Sequence, residues 1–197
     1  NADIKFPEII DENGESVRIT HGRFVKLLES RDRRVRKDAF MGLYNTYNSF
    51  RNTLAATYSA NVKQEVFYTK ARKYNSTLER ALDANNIPVE VYTNLIEAVH
   101  KNMDLMYRYV KLRKKLLGLD EMHMYDLYTP LVPDIKMDIP YEEAKKIVEE
   151  GLQPLGEEYL AILREGFSNR WIDVYENENK RSGAYSWGAY GTHPYVL

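Results

Sequence analysis

The side chains able to do chemistry are few and badly spaced for it. Four histidines, His21, His100, His123 and His193, are spread over 197 residues. No two of them stand four apart as in H-E-x-x-H, the spacing that brings two imidazoles to one zinc from one helix face, so no complete metal site is expected in this chain. His100 falls beside the apolar stripe of a predicted helix and reads as an ordinary surface or half-buried histidine. His123 and His193 stand among aromatics at the edges of irregular segments, which makes them candidates to touch a ligand. The pairs Glu142-Glu143, Glu149-Glu150 and Glu157-Glu158 do not suggest acid/base work, because adjacent residues on a helix point in different directions. Ser182, Ser186 and Thr192 have no visible histidine-and-acid partners. Gly183-x-x-x-x-Gly188 lacks the lysine and hydroxyl of a phosphate loop. The absence of cysteine excludes disulfides and thiolate chemistry and fits a reducing, cytoplasmic setting.

The segment that stands out is the last one, Lys180 to Leu197, which packs three glycines and four large aromatics into an extended-looking run. As a strand over Ser182–Tyr190, it places Ala184, Ser186, Gly188 and Tyr190 on one side and Tyr185, Trp187, Ala189 and Gly191 on the other. Small residues at 188, 189 and 191 let a second extended backbone lie alongside, bound through amides and carbonyls without its sequence being read; peptide capture by strand addition works this way. The alternative is an inner structural strand whose glycines accommodate a packed helix. The chain opens on Asn1 and closes on the apolar Tyr195-Val196-Leu197, and is expected to be an internal piece of a longer polypeptide.

The elements that must position this tail are mostly helical. Lys5–Ile10 and Val17–Thr20 read as short strands joined through Asn13-Gly14, a strong hairpin signal. From Asp32 to Tyr74 the positions Phe40, Leu43, Tyr47, Phe50, Leu54, Tyr58 and Val62 recur every three or four residues, which predicts one long helix or two nearly collinear ones. Ser76 caps a short helix through Ala84. Pro88 opens another that carries Val91, Leu95, Val99, Met103, Met106, Val110 and Leu117 as far as Gly118. His123–Tyr128 reads as extended, helices are expected at Tyr141–Gly151 and Leu155–Gly166, and Trp171–Tyr175 is a candidate strand. The sixteen tyrosines, mostly at helical spacing, are expected in or at the edge of a core.

With 44% hydrophobic residues and a net charge of −1, the chain can bury a core and lacks the general basicity of a nucleic-acid binder. The one basic cluster, Arg31 to Lys37, is expected on a solvated helix face. No stretch approaches the roughly 20 apolar residues of a membrane span.

Three strings carry a resemblance over essentially the whole chain: His123-Met-Tyr-Asp-Leu-Tyr-Thr-Pro-Leu131, Pro154-Leu-Gly-Glu-Glu-Tyr159, and above all Lys180-Arg-Ser-Gly-Ala-Tyr-Ser-x-Gly-Ala-Tyr-Gly-Thr-x-Pro-Tyr195. The chain resembles the oligoendopeptidase F branch of the thimet-oligopeptidase-like zinc peptidases. The resemblance implies a mainly α fold, a long-helix bundle with a few short strands that encloses a deep channel. It implies residues 1–86 as part of an N-terminal helical lobe and 87–197 as the first part of the catalytic domain. Zinc would be held by two histidines and a later glutamate beyond Leu197, with the H-E-x-x-H glutamate activating a water. By the same resemblance, Gly188, Ala189, Tyr190, Gly191 and His193 bind substrate, His193 standing where members often have asparagine and Trp187 where a small residue is common. The expected partners are short peptides, with neither nucleic acid nor membrane, and the segment alone is expected to be inactive. A non-enzymatic helical module that binds a partner protein is the competing reading.

Overall fold

The computed structural model describes residues 4–132, 139–177, 180 and 183–197. They form two compact units, the larger from Ile4–Ile19 and Leu27–Leu131, the smaller from Thr20–Lys26 and the described part of Val132–Leu197. The fold is mainly α, as the periodicity predicts.

In the larger unit, β1 (Glu8–Ile10) and β2 (Ser16–Arg18) pair antiparallel with Ile9 opposite Val17. The Asp11 carboxylate accepts the amides of Asn13 (2.8 Å) and Glu15 (2.9 Å), and Gly14 takes φ 85°, so the hairpin closes at the predicted place. Helix α1 (His21–Glu29), of which only the last turn from Leu27 belongs to this unit, leads to α2 (Arg33–Ser49), whose N-terminus is capped by the Asp32 side chain accepting from the Arg34 amide. The core lies between the hairpin and α2: Phe6, Ile9, Ile19, Leu28, Val35, Ala39 and Leu43 are buried. Gly42 is required here, since a Cβ on it would stand 2.7 Å from Ile19 Cδ1.

The long helical stretch breaks at Phe50 into α2 and α3 (Arg51–Ala71). Ser76 caps α4 (Thr77–Asp83) through the Glu79 amide, as expected. The single helix predicted after Pro88 is instead two, α5 (Val89–Lys101) and α6 (Met103–Leu116). The cause is local: Asn102 leaves helical geometry at φ −106°, ψ 6°, and its side chain donates to the Ala98 carbonyl at 2.7 Å, the competition with the backbone that asparagine brings to a helix interior. The end at Gly118 is as predicted, a left-handed residue (φ 63°) with Gly118 and Leu119 amides bonded to the Lys115 and Lys114 carbonyls.

Two further expectations fail in this unit. His123–Tyr128 is not extended; Met124–Asp126 is a 3-10 turn, held by the Asp126 carboxylate accepting the His123 amide at 3.0 Å. The basic cluster is not a solvated face throughout. Arg36 is 3% exposed and bonds the fully buried Asp126 at 2.8 Å, Arg33 bonds the other oxygen of the same carboxylate at 3.0 Å, and Arg113 from α6 bonds the Asp126 and Thr129 carbonyls. Buried charge is tolerated when it is paired and hydrogen-bonded. This knot fastens α2 and α6 to the 3-10 turn.

The tyrosines and stripe residues also sit differently from expectation. Tyr58, Leu54 and Val62 on α3, Val91, Leu95 and Val99 on α5, and Leu105, Met106 and Tyr109 on α6 are all exposed. The helical period is right, but among the described residues no element covers these faces.

In the smaller unit, α7 (Tyr141–Leu152) packs on α8 (Glu157–Ser168). Pro154 sits in a 3-10 turn that Gly156 ends at φ 88°, which delays α8 by two residues from its predicted start. No helix among the described residues is long and apolar enough to cross a membrane.

Candidate functional site

The glycine- and tyrosine-rich tail is a hairpin. Among its described residues, β3 is limited to Ser186–Trp187 and pairs antiparallel with β4 (Tyr195–Val196), Ser186 opposite Val196 and Trp187 opposite Tyr195. Reciprocal bonds of 3.0 and 2.9 Å between Tyr185 and Leu197 extend the ladder by one pair. On the far side of β4 the Val196 amide donates to the Trp171 carbonyl (2.8 Å), its carbonyl accepts the Asp173 amide (2.9 Å), and Ile172 bridges Val196 in parallel. The candidate strand at Trp171–Tyr175 is thus a single bridge, and β4 is central to a small three-rung assembly.

Residues 188–191 are not in the strand, contrary to expectation; they form the tip. The Thr192 amide donates to the Ala189 carbonyl at 3.0 Å with Gly191 third in the turn at φ 83°, the position and angle that a type II turn reserves for glycine. The Thr192 hydroxyl donates to the same carbonyl at 2.9 Å and accepts the Ala189 amide at 3.3 Å. Tyr190 stands fully in solvent at the apex. The two glycines therefore do different work. A Cβ at Gly188 would meet only the Pro194 Cα, at 3.8 Å, whereas any side chain at Gly191 is strained, by about 1–2 kcal/mol. Gly191→Val is accordingly expected to speed hydrogen exchange at the Thr192 amide about tenfold, each tenfold being about 1.4 kcal/mol, while Gly188→Val leaves that exchange unchanged. Equal rates in the two variants would reject the turn assignment.

His193 is half-buried. Its ring stacks on Trp171 at 5.0 Å and 4°, leans on Tyr195 at 4.5 Å, and its Nδ1 lies 2.9 Å from the Pro194 carbonyl. Trp171 is wedged from behind by α8, where a Cβ on Gly166 would come within 3.1 Å of the indole. The His193 imidazole is thus a packing member beneath the tip, and Gly188, Ala189, Tyr190, Gly191 and His193 do come together on one hairpin.

Sequence reasoning missed the residue best placed for strand addition. In an antiparallel ladder, bonded and non-bonded pairs alternate. Since Tyr185 and Leu197 exchange both bonds, and Val196 turns its amide and carbonyl to Trp171 and Asp173, the amide and carbonyl of Ser186 point to the outer edge of β3. Among the described residues nothing pairs with that edge. A hairpin signal was present, Gly191 at the third turn position between two short apolar runs.

Among the described residues no three of His, Cys, Asp and Glu converge as metal ligands. His123 stacks on Tyr125 at 4.9 Å and lies 3.7 Å from Glu121, at the mouth of an open groove of about 780 Å³ lined mainly by Met106, Tyr107, Val110, Met122, Met124 and Leu127. The described residues do not fit a zinc site.

Comparison with known proteins agrees with the architecture. The chain is 57% identical over all 197 residues to oligopeptidase PepF of Bacillus subtilis, of which it covers 29%. It is 47% identical to group B oligopeptidase PepB of Streptococcus agalactiae, of which it covers 33%. Crystal structures of oligoendopeptidase-F from Enterococcus faecium (46% identity, TM-score 0.66, covering 87% of this chain and 32% of that one) and of a second protein from Bacillus anthracis, described as an oligoendopeptidase F (17% identity, TM-score 0.74, covering 95% and 35%), superpose on it, the latter bearing on the fold alone. The chain spans about a third of the length of these relatives. Residues 26–197 match the description of peptidase family M3, and with nearly the whole chain inside that match, it is to peptidase family M3 that the chain belongs.

Proposed function

We infer that the chain is part of a zinc metallo-oligoendopeptidase that hydrolyses internal bonds of short peptides, and that it supplies channel wall and the strand against which the substrate backbone lies. The observation that carries this reading is the unpaired outer edge of β3, with Ser186 presenting both a donor and an acceptor beside a glycine-containing tip, in a member of a peptidase family. Backbone pairing binds any peptide without reading its sequence, which suits an enzyme that must accept many short peptides.

On this reading Gly188 allows close approach, while Ala189, Tyr190 and Gly191 form the tip above the bound backbone and His193 supports it from below. Residues 1–86 belong to an N-terminal helical lobe and 87–197 to the beginning of the catalytic domain. Zinc, which the family resemblance implies, is held by residues outside these 197, and the segment by itself has no peptidase activity. On this reading the enzyme acts in the cytoplasm, which its cysteine-free composition suits, and on neither nucleic acid nor membrane.

The test is cleavage of a short internally quenched peptide by this chain and by a polypeptide of the relatives' full length that contains it, each with and without a chelator. Chelator-sensitive cleavage by the longer protein alone is expected, with activity restored by zinc. A folded, zinc-supplemented longer protein that cleaves nothing would overturn the reading in favour of a helical binding module.

A further inference from the structure

The register of the hairpin sorts its side chains by face. Opposed residues in an antiparallel pair point to the same side, and neighbours along a strand alternate. Tyr185 and Trp187 therefore share a face with Tyr195 and Leu197, while Ser186 and Val196 take the other. Two further steps extend the same face. His193 lies two residues before Tyr195 and touches its ring, and Trp171, which flanks the residue bridged to Val196, stacks on His193. The result is an aromatic row across one face of the assembly. At its Trp171 end α8 covers it. At its β3 end it is open: Tyr185 is 57% exposed, Trp187 72% and Tyr195 53%.

The open end of the row adjoins the unpaired backbone edge, and that continuity says what can lie on it. A peptide bound antiparallel along β3 exchanges both bonds with Ser186. The peptide residue opposite Ser186 turns its side chain to the Ser186 face. The residues before and after it turn theirs to the aromatic face, one beside Tyr185 and the other beside Trp187. We propose that Tyr185 and Trp187 are specificity-determining residues, two aromatic subsites that select large apolar or aromatic side chains at two substrate positions separated by a single residue. This rests on the peptidase reading above and deepens it. Backbone pairing at Ser186 gives breadth, and the two rings add preference at alternate positions, where apolar burial and ring-on-ring contact are favourable.

The experiment walks a single phenylalanine through a quenched peptide otherwise made of glycine and serine, using the zinc-loaded protein of full length. The profile of kcat/KM against phenylalanine position is expected to show two maxima two positions apart, each about tenfold or more above the parent peptide. Trp187→Ala should abolish one maximum and leave the other, and Tyr185→Ala should do the reverse. Should an alanine variant fail to fold, Trp187→Thr and Tyr185→Thr, which remove the ring and keep a residue suited to a strand, replace it, each lowering its own maximum only. A flat profile in the native protein, or an equal loss at every position in the variants, overturns the subsites while leaving peptide cleavage standing. Absence of cleavage of every peptide rejects the peptidase reading instead.

Discussion

Replacing Asp126 by alanine is expected to lower the unfolding free energy of the larger unit by about 3–5 kcal/mol, the cost of breaking a buried ion pair from one side. The carboxylate has no solvent exposure, and Arg36 beside it has only 4% side-chain exposure. Arg36 also donates to the Ser30 and Arg31 carbonyls at 2.8 and 3.0 Å, but among the described residues only Asp126 balances its charge. Arg33 loses less, because 41% of its side chain remains in water and solvent screens that partner. Urea unfolding reads the effect directly, and a loss below about 1 kcal/mol would mean that water reaches the pair.

The same group gives the chain an acid-sensitive step. Burial pushes the Asp126 carboxyl up, but hydrogen bonds from Arg33, Arg36 and the His123 amide outweigh burial and hold it below the ordinary carboxylate value. A carboxyl depressed in the folded state contributes stability that is complete above its unfolded pKa and disappears as pH falls through the folded one. That window lies below about pH 4. Unfolding midpoints measured from neutrality downward should therefore fall more steeply there in the native chain than in Asp126→Asn, which starts lower and stays flatter.

Local signals in the sequence were sound wherever the structure is local. Ser76 caps its helix, Gly118 ends one, and Gly14 closes a hairpin, because each device needs only the few residues beside it. What the sequence hid depends on distant partners. Arg33 and Arg36 look like surface charge until Asp126, ninety residues later, arrives to face them. Val35, Arg36, Ala39 and Leu43 form the buried stripe of α2, so Arg36 sits on a core face by period alone; only its charge argued otherwise. The exposed stripes of α3, α5 and α6 show the converse, a correct period with no cover among the described residues of a chain that spans about a third of its relatives' length. The tail hid its hairpin because strands of two residues carry no period. The open edge of β3 follows only from the bonds that Tyr185 and Val196 make.

That edge yields the sharpest functional test. Ser186→Pro removes an amide that no ladder bond uses, and places a ring where a bound peptide must approach. Tyr185→Pro one residue earlier removes an amide that donates to the Leu197 carbonyl at 3.0 Å, so it damages the hairpin itself. In the full-length protein, Ser186→Pro is expected to lower kcat/KM for short peptides by about 10–100-fold, since a lost backbone bond leaves a polar group unpaired at about 1–3 kcal/mol and each 1.4 kcal/mol is tenfold. Zinc content and melting temperature should stay at native values in Ser186→Pro, while Tyr185→Pro lowers the melting temperature. Ser186→Ala, which keeps the amide and loses only the hydroxyl, should cleave at the native rate. If Ser186→Ala is as slow as Ser186→Pro, the hydroxyl and not the backbone binds the substrate; if both cleave normally, the peptide does not lie on this edge. Only the combination of a slow proline variant and a normal alanine variant is the signature of strand addition, because only a backbone partner distinguishes the two.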